Sequence, residues 1–378
     1  MTIPRAKQFD ASSPPWLHCI SRCVRRAYLC GTDPAGRDVE HRKGWVEARL
    51  RLIARSAACE VAGYAVMSNH LHVVLRMRPD LAAGWSAMEV VRRWLAIWPR
   101  ERLSDGTPVE PSCQELEQLA KNTAQVAIWR QRLGDLGWTM KALKEDLSRR
   151  ANKEDECSGA FWEGRFKSVP LLDQAALVSC MAYVDLNPIR AKVAKTPETS
   201  QFTGAYERIR VRQAVRKAAG LRRAGDADGA AKVLAKAGIV SGNHPGGPGS
   251  PRFEWGGLAD GRRLADSPDD EADRASWLTP IACCVADGDP LTLDEYLTLV
   301  DGTGRIIRNG KRGAIPAELA PILARLDLDI ERWLDCMLGW RQFLGAAVGR
   351  LASRAVEATR RGLQWVQNRC ALFAPAPA

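Results

Sequence analysis

Residues 61–76, VAGYAVMSNHLHVVLR, set Leu71, Val73 and Leu75 against His70 and His72, a period of two that only an extended chain turns into two distinct faces. The stretch predicts a strand, interrupted near Ser68 and Asn69 by a turn or bulge. Two neighbouring segments restrict what can be built around it. WLHCISRCVRRAYLCG (16–31) carries Leu17, Cys19, Ser21 and Cys23 on one side and His18, Ile20 and Arg22 on the other, so it reads as an earlier strand running into a basic turn. Between the two, WVEARLRLIARSAAC (45–59) spaces Val46, Leu50, Ile53, Ala54 and Ala57 as a helix does. Strand, helix and strand in that order open an α+β sandwich.

The pattern then changes. Residues 80–156 are long, charged and helix-prone with no strand periodicity, and they predict a helical excursion from the sheet. GAFWEGRFKSVPLLD (159–173) returns to extended, aromatic and basic residues. In DQAALVSCMAYVDLNPIRAKV, the residues Ala176, Leu177, Cys180, Tyr183 and Val184 fall at helical spacing, and Pro188 predicts that the helix stops at Asn187. From about 205 the chain is basic and Ala-rich, then loosens into SGNHPGGPGSPRFEWGG (241–257), the best linker candidate. Amphipathic helical patterns follow to the C-terminus. The expected organisation is a domain over 1–205 containing the 80–156 insertion, a basic segment and linker over 206–257, and a helical domain over 258–378.

A chain of 378 residues buries a substantial core without staples. Its charge is the informative bulk property: 55 Lys and Arg against 44 Asp and Glu give a formal +11, which favours a polyanionic partner. No window approaches the roughly 18 apolar residues of a spanning helix, and the N-terminus has no apolar segment resembling a signal peptide, so no membrane role and a cytoplasmic location are expected. Eleven cysteines without regular spacing do not form a disulfide framework. They read as small buried residues, although His18, Cys19, Cys23 and Cys30 also admit a zinc reading that lacks a CxxC and a second half.

His70 and His72, two apart on a strand, project from one face and can grip one cation, while Leu71, Val73 and Leu75 face the core. Alone, the pair does not separate a metal site from polar decoration of a strand. Tyr183 and Asn187 are four apart, on one face of a helix. There an amide oxygen can join a metal centre beside a phenol, or the tyrosine packs at a helix end that the asparagine caps. A phenol beside a hard cation held by His, His and amide is the equipment for attacking a phosphodiester.

These residues resemble a family. NHLHVV (69–74), FWEGRFKS (161–168) and above all YVDLNPIRAKV (183–193) are similar to the single-tyrosine HUH transposases of small bacterial insertion sequences, and most of all to the REP-associated tyrosine transposases, in which YIxxNPxRA recurs. The motifs keep their order across residues 14–200, and WLHCISRCVRRAYLCG resembles the family's first strand and turn. DGTGRIIRNGKRGAIP (301–316) resembles the tail of a longer subgroup. The resemblance implies a ferredoxin-like α+β domain that cuts and rejoins single-stranded DNA at hairpins through a 5′-phosphotyrosine. It makes Tyr183 the nucleophile, His70, His72 and Asn187 the ligands of Mg²⁺ or Mn²⁺, and the protein a monomer or a homodimer. The insertion at 80–156 departs from the small members, so the placement of Tyr183 relative to the histidines does not carry over.

Charge suggests the DNA surface: Arg22, Arg25 and Arg26 near the first turn, Arg165 and Lys167 near the aromatic strand, and Arg190 and Lys192 after the tyrosine helix. Trp162 and Phe166 are candidate stacking platforms, and Arg208, Arg210, Arg212, Arg216 and Lys217 a basic helix face. Two other classes compete: a non-catalytic nucleic-acid binder, and a barrel metallohydrolase using HxH. For the latter, His18, His41 and His244 do not fall at the ends of repeating strands. There is no P-loop and no Gly-rich dinucleotide fingerprint.

Overall fold

The computed structural model describes residues 14–24, 28–33, 36–104, 106–239, 273, 276–284, 291–309, 323, 330–339 and 347–367. The linker candidate at 241–257, Arg25 and Arg26 lie outside them. The chain forms two compact units, one of residues 1–61 and 66–170, the other of 62–65 and 171–378. Residues of the expected 1–205 domain contribute to both units.

The elements run β1 (Trp16–Arg22), α1 (Arg42–Ser56), β2 (Cys59–Val66), β3 (His70–Met77), α2 (Pro79–Gly84), α3 (Ala87–Ile97), α4 (Cys113–Lys121), α5 (Thr123–Leu133), α6 (Leu136–Glu154) and β4 (Lys167–Leu171). The sheet is four-stranded and antiparallel, in the order β2-β3-β1-β4. Sequence order β-α-β-β-α-β with β1 and β3 central defines a ferredoxin-like α+β fold. Five helices stand where that fold has one, which is the insertion expected at 80–156. What was expected as one interrupted strand over 61–76 is two strands, with Met67, Ser68 and Asn69 as the turn between them.

That turn is fastened. Leu29 and Cys30 N–H groups donate to Ser68 O at 2.8 and 3.2 Å, and Cys23 N–H donates to Asn69 O at 2.9 Å. The Cys30 thiol donates to Met67 O at 3.2 Å. A turn with its carbonyls satisfied by a neighbouring segment is fixed in register. β1 and β3 pair antiparallel with Leu17 opposite Leu75, Ile20 opposite His72 and Arg22 opposite His70. Both faces of the sheet are covered: β2 is buried along its whole length, and only Arg76 of β3 is not buried.

The alternation of β3 separates its faces. Thr139 of α6 reaches Met77 Sδ at 3.8 Å, so α6 covers the face of Leu71, Val73, Leu75 and Met77, and His70 and His72 point to the other. α1 and α6 are neighbours, held at one end by Arg42, whose buried guanidinium donates to Glu154 and Asp155 at 2.5 Å each. Within the insertion, Trp94 stacks on Trp98 and Trp129 at 4.2 and 5.6 Å, and Arg132 lies 4.1 Å over Trp138. A layer of stacked indoles gives the excursion a core of its own.

The second unit contains α7 (Gln174–Asp185), α8 (Asn187–Arg190), α9 (Gly204–Arg223), α10 (Ala227–Lys236) and, among the described residues, helices over Ile281–Cys284, Leu293–Asn309, Ile330–Gly339 and Leu351–Arg360. α7 is buried on every side from Ala175 to Asp185, as a helix apolar all round requires. Thr203 of the α9 N-terminus pairs with Ala65, and Gly204 comes so close that a Cβ there would lie 3.2 Å from Gly63 Cα. No helix among the described residues is long and apolar enough to cross a membrane.

α7 starts at Asp173, whose Oδ1 accepts from Ala176 N–H at 2.9 Å while Oδ2 accepts from Arg350 N–H at 2.7 Å. One carboxylate thus caps the helix and fixes the distant segment before Leu351. Asp173→Ala is expected to cost about 2 kcal/mol in urea unfolding, the upper end for a helix cap, because a second N–H loses its acceptor with it.

Candidate metal and nucleophile site

His70 and His72 share one sheet face with their ring centroids 4.9 Å apart and their planes nearly perpendicular. They are not decoration on an exposed strand: His70 is 7% and His72 3% exposed. Burial of two imidazoles needs hydrogen bonds that sequence alone does not reveal. His70 Nδ1 lies 2.8 Å from Asn69 Oδ1. An amide oxygen only accepts, so the His70 ring donates to it from Nδ1. His72 Nδ1 lies 2.9 Å from Nε2 of His18, whose ring stacks on that of His72 with centroids 5.1 Å apart.

His18 is fully buried, and burial pushes its imidazole down to about 3, so the ring is neutral. It was placed by sequence on the β1 face shared with Ile20 and Arg22, and the register makes it the diagonal neighbour of His72. The zinc reading of His18 with Cys19, Cys23 and Cys30 gains nothing here. Burial pushes the Cys23 and Cys30 thiols up to about 12, and among the described residues no three His, Cys, Asp or Glu side chains are grouped to hold a metal. Of the other histidines, His41 pairs with Glu154 on the surface, and His244 lies outside the described residues.

Tyr183 and Asn187 belong to the second unit. α7 ends at Asp185, two residues before the stop expected at Asn187, with Leu186 N–H closing its last turn on Ala182 O at 2.9 Å, and Pro188 stands in the first turn of the short α8 that follows. Asn187 Nδ2 donates to Tyr183 O at 3.1 Å, which orients the amide. Tyr183 is 1% exposed, and Arg190 lies 5.0 Å over its ring. Asp185, missed in the sequence, accepts from the Tyr296 hydroxyl at 2.5 Å and from Ala205 N–H at 2.9 Å. Burial pushes its carboxyl up to about 6, against the pull of those two donors and of Arg208.

The residues expected to line a DNA surface differ in exposure. Arg22, Arg165 and Lys167 are exposed, and Arg190 is half-buried against Tyr183. Trp162 is not an open platform: it is 9% exposed, donates from Nε1 to Lys144 O at 2.9 Å and meets Phe161 edge-on. Phe166 is buried as well. The basic face of α9 also needs correction. Arg208 is interior, Arg210 donates to Glu207 and to Ala237 O, and Arg212 pairs with Asp294, so only Arg216 and Lys217 of the five stand exposed.

Comparison of the chain with protein-family models, with curated proteins and with solved structures gives no match in any of the three.

Proposed function

We propose that this protein is a metal-dependent single-strand DNA endonuclease and strand transferase, acting on hairpin-bearing DNA through a 5′-phosphotyrosine at Tyr183. The observation that carries the proposal is the histidine pair: two buried imidazoles on one face of the central strand β3, the Nδ1 of each within hydrogen-bond distance of a neighbouring side chain, so that Nε2 is the atom each would offer to an ion. Such donors suit a divalent ion, and an amide oxygen as a further ligand, the role proposed for Asn187, would favour Mg²⁺ or Mn²⁺. A cation held there would polarise the scissile phosphate and neutralise charge that develops on it.

The chain's own residues supply the rest. Tyr183 Oη attacks phosphorus and loses its proton, the bond to the 3′ oxygen breaks, and that oxygen takes up a proton as the free 3′-hydroxyl. Attack by another 3′-hydroxyl on the phosphotyrosine reverses the step and joins strands, with no nucleotide consumed. Arg22, Arg165 and Lys167 provide exposed charge for the DNA backbone. The burial of Tyr183 means that DNA binding has to uncover the phenol before attack.

That burial also favours a second reading, a non-catalytic nucleic-acid binder that keeps the fold. Labelled single-stranded oligonucleotides carrying hairpins, incubated with the protein and Mn²⁺, separate the two. A covalent adduct retained in denaturing gels supports the transferase, and binding of the same DNA without any adduct supports the binder.

A further inference from the structure

We infer that His18 is a positioning residue for the metal site: it holds His72 in the Nδ1–H tautomer, with the lone pair directed from Nε2 to the ion. The inference rests on the metal reading above and deepens it. Either His18 Nε2 or His72 Nδ1 carries the proton of their 2.9 Å hydrogen bond. If His18 donated, neutral His72 would carry its proton on Nε2 and would not ligate. If His72 donates, His18 accepts through Nε2, and His72 becomes a ligand like His70.

The metal reading requires the second arrangement, and the local geometry accommodates it. His70 is set in the same tautomer by Asn69, so a site using both rings needs His72 to match it. His18 Nε2 lies 2.9 Å from His72 Nδ1, which engages that nitrogen with the neighbouring ring. The placement is also rigid: His18 sits within β1, in register with β3, and is fully buried. A hydrogen-bonded partner of this kind sets the orientation and basicity of a metal-bound imidazole, and its loss weakens metal affinity by about 10- to 100-fold.

The test uses the full-length protein with ¹⁵N-labelled histidine, wild type and the variants His18→Leu and His18→Gln. In the metal-free wild type, the His72 ring is expected to show its proton on Nδ1. His18→Leu is expected to bind Mn²⁺ about 10- to 100-fold more weakly while keeping its circular dichroism. His18→Gln, whose amide oxygen can accept the same bond, is expected to recover most of the affinity, which a merely structural role does not predict.

An Nε2–H tautomer in the wild type overturns the inference, as does Mn²⁺ affinity in His18→Leu equal to that of the wild type. Should His18→Leu fail to fold, the wild-type tautomer and the His18→Gln affinity still decide. A wild type whose Mn²⁺ binding is absent or unchanged by His70→Ala overturns the metal reading itself, a failure distinct from that of His18 alone.

Discussion

Tyr183→Phe is expected to abolish the covalent protein–DNA adduct while leaving DNA binding, Mn²⁺ affinity and melting temperature close to those of the wild type. The substitution removes one hydroxyl and keeps the ring that fills the interior of α7 and lies under Arg190. Loss of a nucleophile that acts together with a bound ion lowers turnover by roughly 10⁴-fold or more, so no adduct should remain visible. Comparison with Tyr296→Phe supplies the control, since that phenol is equally buried but serves Asp185. An adduct that survives in Tyr183→Phe would assign the nucleophile elsewhere.

The second large effect is on stability. Arg208→Met is expected to cost about 3–5 kcal/mol in urea unfolding, the range for removing one member of a buried charged network. The guanidinium is 1% exposed and donates from Nη2 to Ala62 O at 2.9 Å and Thr279 O at 2.8 Å, with Nε 3.4 Å from Asp273 Oδ1. Methionine fills the volume but satisfies neither carbonyl, and it leaves the buried Asp273 carboxylate without this cation. Arg216→Met, two turns along the same helix and exposed, is expected to stay within about 0.5 kcal/mol of the wild type. Equal midpoints for the two variants would contradict the interior role of Arg208.

These two residues also show what the sequence displayed and what it withheld. The uninterrupted run from Ala175 to Val184 carries no charge, which already marks a helix buried on all sides, so the burial of Tyr183 was legible. The burial of Arg208 was not, because its partner Asp273 lies far along the chain and nothing local distinguishes it from Arg216. The strand-helix-strand opening was legible because periods of 2 and 3.6 are local properties of a chain. Strand order is not local: it depends on how the crossovers pack, and it decides that His18 neighbours His72. The turn near Ser68 and Asn69 was legible, but that it separates two strands rather than interrupting one was not, because His70 resumes the alternation at once. Trp162 and Phe166 looked like stacking platforms because an aromatic beside basic residues has the same composition in a groove or a core, and only burial separates them.

The central proposal is that His70 and His72 hold the ion that serves Tyr183. It is tested most directly by crystals of the full-length protein grown with Mn²⁺, in which anomalous scattering locates the ion. The account predicts a single strong peak within bonding distance of Nε2 of both His70 and His72 and of Oδ1 of Asn187, with the Tyr183 hydroxyl in the adjoining shell. A peak away from the two rings, or one at the rings with Asn187 and Tyr183 both remote from it, would contradict the account.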